Sequence, residues 1–122
     1  MTDETMTIRE MCDAFQVTPR TLRFYEAKEL LFPIREGQKR LFTKRDRARL
    51  KLILRGKRFG FSLEEIRQWL EIYEKQGTEA QMQAWVDMAD RQLEVLAEQQ
   101  AQLARAISEL KETRDKVACE IR

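Results

Sequence analysis

Basic side chains in two short segments are the residues of this sequence best placed to do chemistry. Arg20, Thr21 and Arg23 stand near the start of an amphipathic stretch, and Lys39 and Arg40 follow a turn further along the chain. A guanidinium group donates paired hydrogen bonds to a phosphate or to a base edge, and a lysine ammonium adds a point charge. These residue types therefore favour non-covalent binding of a polyanion.

Bond-breaking chemistry has little support in the composition. The chain contains no histidine, so neither a Ser-His-Asp nor a Cys-His nucleophile can be built, and the commonest zinc ligand is missing. The two cysteines, Cys12 and Cys119, lie too far apart in sequence for a disulfide framework or a metal knuckle. Cys12 is predicted to be a small core residue. The sequence thus predicts no enzyme, no metal site and no cofactor.

Charge is unevenly divided along the chain. Residues 1–62 hold 15 basic and 8 acidic side chains, whereas residues 63–122 hold 8 basic and 13 acidic ones. The first half suits a polyanionic partner, although the same counts would suit a helical surface whose charges only keep the protein soluble. Charged residues make up 36% of the chain and few glycines or prolines interrupt it, which favours long helices. With no apolar stretch of membrane-spanning length, the sequence predicts a soluble, cytoplasmic protein.

Five helix starts are marked by a capping hydroxyl followed by a reciprocal partner or by proline. They are Thr7 with Glu10, Thr18 with Pro19, Thr43 with Asp46, Ser62 with Glu65, and Thr78 with Gln81. Only Gln16 and Val17 separate the first helix from the second, which is the spacing of a helix-turn-helix. The second helix then presents Arg20, Thr21 and Arg23 near its start, where a major groove could receive them.

A small β-hairpin is predicted after the second helix. Ile34 and Arg35 lead into a turn at residues 36–38, and residues 39–42 lead out of it, forming a two-stranded wing that must pack on the helices. The third helix, from Thr43 to about Phe59, is predicted to turn its basic residues outward. These are Lys44, Arg45, Arg47, Arg49, Lys51, Arg55, Lys57 and Arg58. A fourth helix completes a winged helix-turn-helix domain over residues 1–76.

Residues 77–122 carry an unbroken heptad seam, in which apolar residues alternate steps of three and four. The seam comprises Val86, Ala89, Leu93, Leu96, Gln100, Leu103, Ile107, Leu110, Arg114, Val117 and Ile121. A helix of this length needs a partner chain, unless it folds back on its own domain. A parallel pair would bring two Arg114 cations together, so we predict an antiparallel coiled-coil dimer. The expected fold class is mainly α, a winged helix-turn-helix domain followed by this dimerisation helix.

The sequence resembles the MerR family of bacterial transcription regulators. The motif TLRFYE, the wing and the motif GFSLEEI occur in the family's order and spacing across residues 6–75, and RDRARLKLILRGKRFGFSLEEIR is most similar to the LiuR-type branch. Residues 78–122 resemble the family only in architecture. The resemblance implies a homodimer that binds a pseudo-palindrome in double-stranded DNA and distorts it, so that RNA polymerase can engage the promoter.

The resemblance also implies roles for individual residues. Arg20 and Thr21 would face base edges, Arg23 and Tyr25 would hold phosphates, and Lys39 and Arg40 would grip the flanking backbone. The predicted DNA-binding set is Thr18, Arg20, Thr21, Arg23, Tyr25, Lys39 and Arg40. Tyr25 could instead be a core aromatic residue, and Lys39 a solvated turn residue.

Effector binding is less well marked than DNA binding. The cysteines of metal-sensing relatives have no counterpart in GTEAQMQAW at the start of the long helix, and only Cys119 stands near its end. Branch resemblance points to a small organic or acyl-CoA-like effector. The alternative function is that of a coiled-coil adaptor that binds protein and never reads DNA.

Overall fold

The structure, a computed structural model, describes residues 4–121 except the side chains of Tyr73, Glu74 and Gln76. Its elements are β1 (Met6–Thr7), α1 (Ile8–Phe15), α2 (Pro19–Ala27), β2 (Ile34–Glu36), β3 (Lys39–Phe42), α3 (Lys44–Arg58), α4 (Leu63–Gln76) and α5 (Thr78–Glu120). The chain forms two compact units that divide between Gln81 and Met82. It is mainly helical, as predicted.

Four of the five predicted helix starts are confirmed by their hydrogen bonds. Complete capping boxes open α1, α3 and α4, and the hydroxyl of Thr18 accepts from the backbone N–H of Thr21 at the start of α2. The fifth helix, α5, also begins where predicted, but the capping role predicted for Thr78 is wrong. Thr78 is the first residue of α5, and the N–H of Gln81 donates to the carbonyl oxygen of Gly77. Gly77 therefore accepts the first intrahelical bond, which is the role of the capping position.

The wing has three strands rather than the predicted two. β1 pairs antiparallel with β3, which places Met6 opposite Phe42, and the sheet order is β1-β3-β2. Glu36 lies in β2 opposite Lys39, so the turn is confined to residues 37 and 38. Gly37 occupies its first position with φ at +60°, as a type II′ turn requires. The β3 edge of the hairpin is therefore paired with β1, the segment that leads directly into α1.

The core of the first unit is formed by side chains from the helices α1 to α4, from β3 and from the segments that connect them. Its most buried apolar side chains are Met11, Leu22, Leu30, Leu31, Phe42, Leu50, Ile53, Phe61, Ile66 and Leu70. α3 and α4 approach closely at Gly56, where an added Cβ would lie 2.9 Å from Cδ1 of Ile66.

Arg49 is buried, contrary to the prediction that it faces solvent. Its side chain lies on the inner face of α3, where Nε donates to the carbonyl oxygen of Leu30 at 2.8 Å. The guanidinium also lies over the ring of Phe32, 5.2 Å from the centroid. Burial lowers the pKa of Arg49, and Arg45 adds to the effect while Asp46 opposes it. These contacts replace the water that the guanidinium loses.

Asp46 joins the same loop to α3 from within the core. One carboxylate oxygen accepts from the N–H of Phe32 at 2.9 Å, and the other accepts from the N–H of Thr43 at 3.1 Å. Asp46 is only 2% exposed. Together with Arg49 it holds the segment between α2 and β2 against α3, and so sets where the wing begins.

α5 is a single helix of about 65 Å at 1.5 Å per residue. Its first turn stays with the first unit, because the indole N–H of Trp69 donates to the carbonyl oxygen of Gln81 at 3.3 Å. In the second unit the large apolar seam residues are exposed, Leu93, Leu103 and Leu110 each by more than half. None of the helices within residues 4–121 has a stretch long and apolar enough to cross a membrane.

Candidate nucleic-acid interface

A sharp turn sets α2 at an angle to α1. Gln16 takes the left-handed conformation with φ at +57°, and the N–H of Val17 donates back to the carbonyl oxygen of Cys12. The side-chain amide of Gln16 closes the turn on the carbonyl oxygen of Asp13 at 2.9 Å. Met11 and Leu22 are both fully buried, so the opposite side of α2 is turned outward.

The outward side of α2 carries the residues predicted to read DNA. Arg20 and Arg23 are exposed, and Thr21 is half-buried beside them. The Thr18 hydroxyl accepts from the N–H of Thr21 and lies 2.9 Å from the Thr21 hydroxyl. Thr18 thus stabilises the first turn of α2 and fixes the Thr21 side chain, and the two hydroxyls together keep one donor and two lone pairs for a ligand.

An open cavity of about 300 Å³ lies beside this surface. It is lined by Arg20, Thr21, Phe24, Tyr25, Lys57 and Leu63. Lys57, in the last turn of α3, was predicted to be exposed but not to join the DNA-binding set. It therefore adds a cation to the α2 surface from a different helix.

Tyr25 is mostly buried, at 7% exposed, and is one of the residues that line the cavity. Burial raises the pKa of Tyr25, so its hydroxyl stays protonated and can donate a hydrogen bond. The packing matches the core alternative for this residue. Its contact with a phosphate stays a prediction.

The wing is joined to α2 by ion pairs. Glu26 on α2 pairs with Nε of Arg40 on β3 and, at 3.2 Å, with Nη1 of Arg35 on β2. Lys39 is exposed at the start of β3. Sequence reasoning identified Lys39 and Arg40 but missed Arg35 and Glu26. The hairpin register could have indicated Arg35, because a turn at Gly37 places it directly opposite Arg40.

The cysteine thiols differ from this basic surface in their chemistry. Cys12 is half-buried, and its pKa is raised by burial and by the neighbouring Asp13, while Arg23 opposes the rise. A neutral thiol is a weak nucleophile and a weak metal ligand. Over the described part of the chain, no three Cys, Asp or Glu side chains are grouped so that they could hold a metal ion.

The helix-turn-helix, its wing and the exposed basic side of α2 define a nucleic-acid-binding class of protein. The family model for MerR HTH regulatory proteins matches residues 6–72, and the model for the MerR DNA-binding region matches residues 47–113. The chain belongs to the MerR family of DNA-binding transcription regulators.

Known transcription regulators resemble this chain over half or more of its length. The transcriptional regulator ZntR of Escherichia coli K12 is 43% identical over 67 residues, which cover 53% of this chain and 48% of ZntR. The chain thus matches about half the length of its curated relatives. A MerR-family regulator from Bacillus cereus is 33% identical with a TM-score of 0.77, covering 93% of this chain and 82% of its own.

A second solved structure, that of another relative, contains promoter DNA. HiNmlR, a MerR-family regulator lacking the sensor domain and bound to promoter DNA, is 26% identical with a TM-score of 0.65. The likeness covers 86% of this chain and 80% of that one. ZntR, the Bacillus cereus protein and HiNmlR are all transcription regulators.

Proposed function

We propose that this chain is a dimeric regulator that binds a pseudo-palindromic operator in double-stranded DNA and controls the adjoining promoter. The observation that carries the proposal is the exposure of Arg20 and Arg23 on the first turns of α2, with the half-buried Thr21 beside them. In helix-turn-helix proteins these positions of the second helix enter the major groove. The promoter complex of HiNmlR supports the same use of the fold.

Each surface has its own part in binding. Arg20 and Thr21 read base edges, whereas Arg23 and the hydroxyl of Tyr25 hold phosphates at the entry of the groove. Lys39 and Arg40 in the wing grip the flanking backbone. Thr18 acts through the α2 cap that it forms. Positioning contacts outnumber base contacts, so most of the affinity is independent of sequence.

Alanine substitutions should distinguish residues that contact base edges from residues that contact the DNA backbone. Arg40→Ala is expected to weaken binding to all sequences alike, whereas Arg20→Ala should also relax preference at one base pair, each by about 1 to 3 kcal/mol. The measurement is fluorescence anisotropy against an operator selected from random duplexes and its single-base-pair variants. Arg91→Ala on α5 removes the same charge and serves as the control. If neither variant changes base preference, Arg20 does not read bases.

We propose that α5 pairs two chains in an antiparallel coiled coil. The exposed seam of the second unit has the spacing that knobs-into-holes packing requires. Arg114 lies in the seam with its guanidinium 3.0 Å from Asp115 of the same helix. A parallel pair would bring two of these cations together, while an antiparallel pair separates them. Residues 77–122 then serve dimerisation and residues 1–76 bind DNA, with the two domains about one DNA turn apart.

Disulfide trapping tests the orientation of the two helices. In a chain carrying Cys12→Ser and Cys119→Ser, we expect Gln100→Cys to cross-link readily, because the antiparallel seam crosses near that residue. Val86→Cys should form no disulfide cross-link under the same oxidation, since two position-86 thiols meet only in a parallel coil. The measurement is non-reducing electrophoresis. Ready cross-linking at position 86 would overturn the antiparallel arrangement.

The regulatory step proposed is deformation of the promoter. Underwinding and bending an overlong spacer would let RNA polymerase engage both promoter elements, with protein binding energy offsetting the cost of distortion. The LiuR-type resemblance favours an acyl-CoA-like effector, which should change promoter binding when added. A gel shift of the DNA between this gene and its neighbour tests the whole proposal. The absence of any sequence-specific shift would favour a protein-binding adaptor instead.

A further inference from the structure

Glu26 occupies an unusual place between the recognition helix and the wing. The two carboxylate oxygens of Glu26 accept hydrogen bonds from different arginines. Oε1 accepts from Nε of Arg40, and Oε2 accepts from Nη1 of Arg35. The side chains of Glu26 and Arg40 are each only 22% exposed, so solvent screens this pair less than a fully exposed one. A single acidic residue on α2 thus holds one arginine from each strand of the hairpin.

The hairpin register explains why an acid is needed there. Arg35 and Arg40 are directly opposite each other on β2 and β3. Like charges in that relation destabilise a hairpin, and a short hairpin is only marginally stable by itself. The carboxylate of Glu26 lies between the two cations and offsets their repulsion. It also ties the wing to the helix that carries Arg20 and Arg23.

We infer that Glu26 is a positioning residue that presents Arg35 and Arg40 together to the DNA backbone. The inference rests on the proposed function. Nε of Arg40 and Nη1 of Arg35 face Glu26, which leaves the remaining guanidinium N–H groups of both residues for phosphate oxygens. Arg35 thereby becomes a second backbone contact of the wing. The grip needs no base contact, so it acts on every DNA sequence.

If Glu26 acted only through its negative charge, removing that charge would change DNA binding in the opposite direction from a loss of positioning. An acidic side chain beside DNA repels phosphates, so removing its charge should strengthen binding if Glu26 does nothing else. If Glu26 positions the two arginines, the neutral and nearly isosteric Glu26→Gln should weaken binding instead. The sign of the change in affinity therefore separates the two roles.

The experiment measures binding of the full chain to a labelled 30-bp duplex of random sequence and to the DNA beside its gene, across a range of salt. We expect Glu26→Gln to weaken both by about tenfold, the loss expected of one charged hydrogen bond. The slope of log affinity against log salt should become shallower by roughly 0.9 for each phosphate that the variant no longer neutralises. Glu26→Asp, which keeps the charge, should bind more tightly than Glu26→Gln.

Two further variants keep the result interpretable. Glu36→Gln removes a charge from the exposed end of β2, outside the arginine pair, and should leave binding unchanged or strengthen it. In an Arg35→Ala, Arg40→Ala background, Glu26→Gln should no longer weaken binding, because there is nothing left to position. Binding by Glu26→Gln as tight as that of the parent chain would overturn the inference. Failure of the parent chain to bind either DNA would instead overturn the proposed function.

Discussion

DNA binding is expected to weaken by about 10⁴- to 10⁶-fold when salt is raised from 50 to 200 mM. Each phosphate that a basic residue neutralises releases condensed counterions, and added salt opposes that release. In the proposed complex Arg23, Lys39 and Arg40 would give each subunit several backbone contacts, and Lys57 is a further cation beside α2. For a dimer the slope of log affinity against log salt should be about −6 to −10.

A pair of lysine variants locates the effect on the protein. Lys39→Ala in the wing should make the slope shallower by roughly 0.9 per subunit. Lys111→Ala on α5 removes the same charge from the second unit and should leave the slope unchanged. The measurement is a titration of labelled duplex at five or more salt concentrations. A slope shallower than about −3 in the parent chain would contradict the surface assigned to DNA.

Asp46→Ala is expected to destabilise the DNA-binding unit by about 2 to 4 kcal/mol. The substitution removes the acceptors of two backbone N–H groups at once, those of Phe32 and Thr43. It also opens the capping box of α3 and leaves a cavity in a well-packed site. The measurement is urea unfolding followed by circular dichroism, with the midpoint compared at equal slope.

Glu65→Ala supplies a matched control for this prediction. Glu65 stands at the same position of the α4 capping box, but its carboxylate serves only the N–H of Ser62 in an exposed box. We expect a cost of about 1 kcal/mol or less. Equal destabilisation by the two variants would show that the bond from Asp46 to Phe32 contributes nothing.

Sequence reasoning worked best where the stabilising contact is local. The caps at Thr7, Thr18, Thr43 and Ser62 join residues three apart, so the spacing alone predicts them. β1 escaped prediction because a two-residue strand exists only through its partner Phe42. Arg49 was misplaced since a charged residue on a helix usually faces solvent. Its position three residues after Asp46 and four before Ile53 puts it on the buried face, where distant groups satisfy it.

The candidate site likewise has local features that the sequence predicts and contacts between elements that it does not predict. The exposure of Arg20 and Arg23 follows from their position on an amphipathic helix, which a sequence displays. The pairing of Glu26 with Arg35 and Arg40 depends on how the wing docks against α2, which no local pattern encodes. Lys57 reaches the α2 surface only because α3 ends beside it. Contacts between elements are therefore what the structure adds to the sequence.

The pairing of Met6 with Phe42 also sets an order of events during synthesis on the ribosome. α1 and α2 can form as they emerge, because their caps are local. The sheet cannot close until Phe42 is made about 36 residues later, which takes roughly 2 to 7 s at cellular elongation rates. Glu26 is made 20 residues after Met6, and its partners Arg35 and Arg40 follow it by 9 and 14 residues, before the sheet can close. The helix that carries the residues proposed to read DNA can thus form before the pairing of Glu26, which is completed only when the wing has been synthesised.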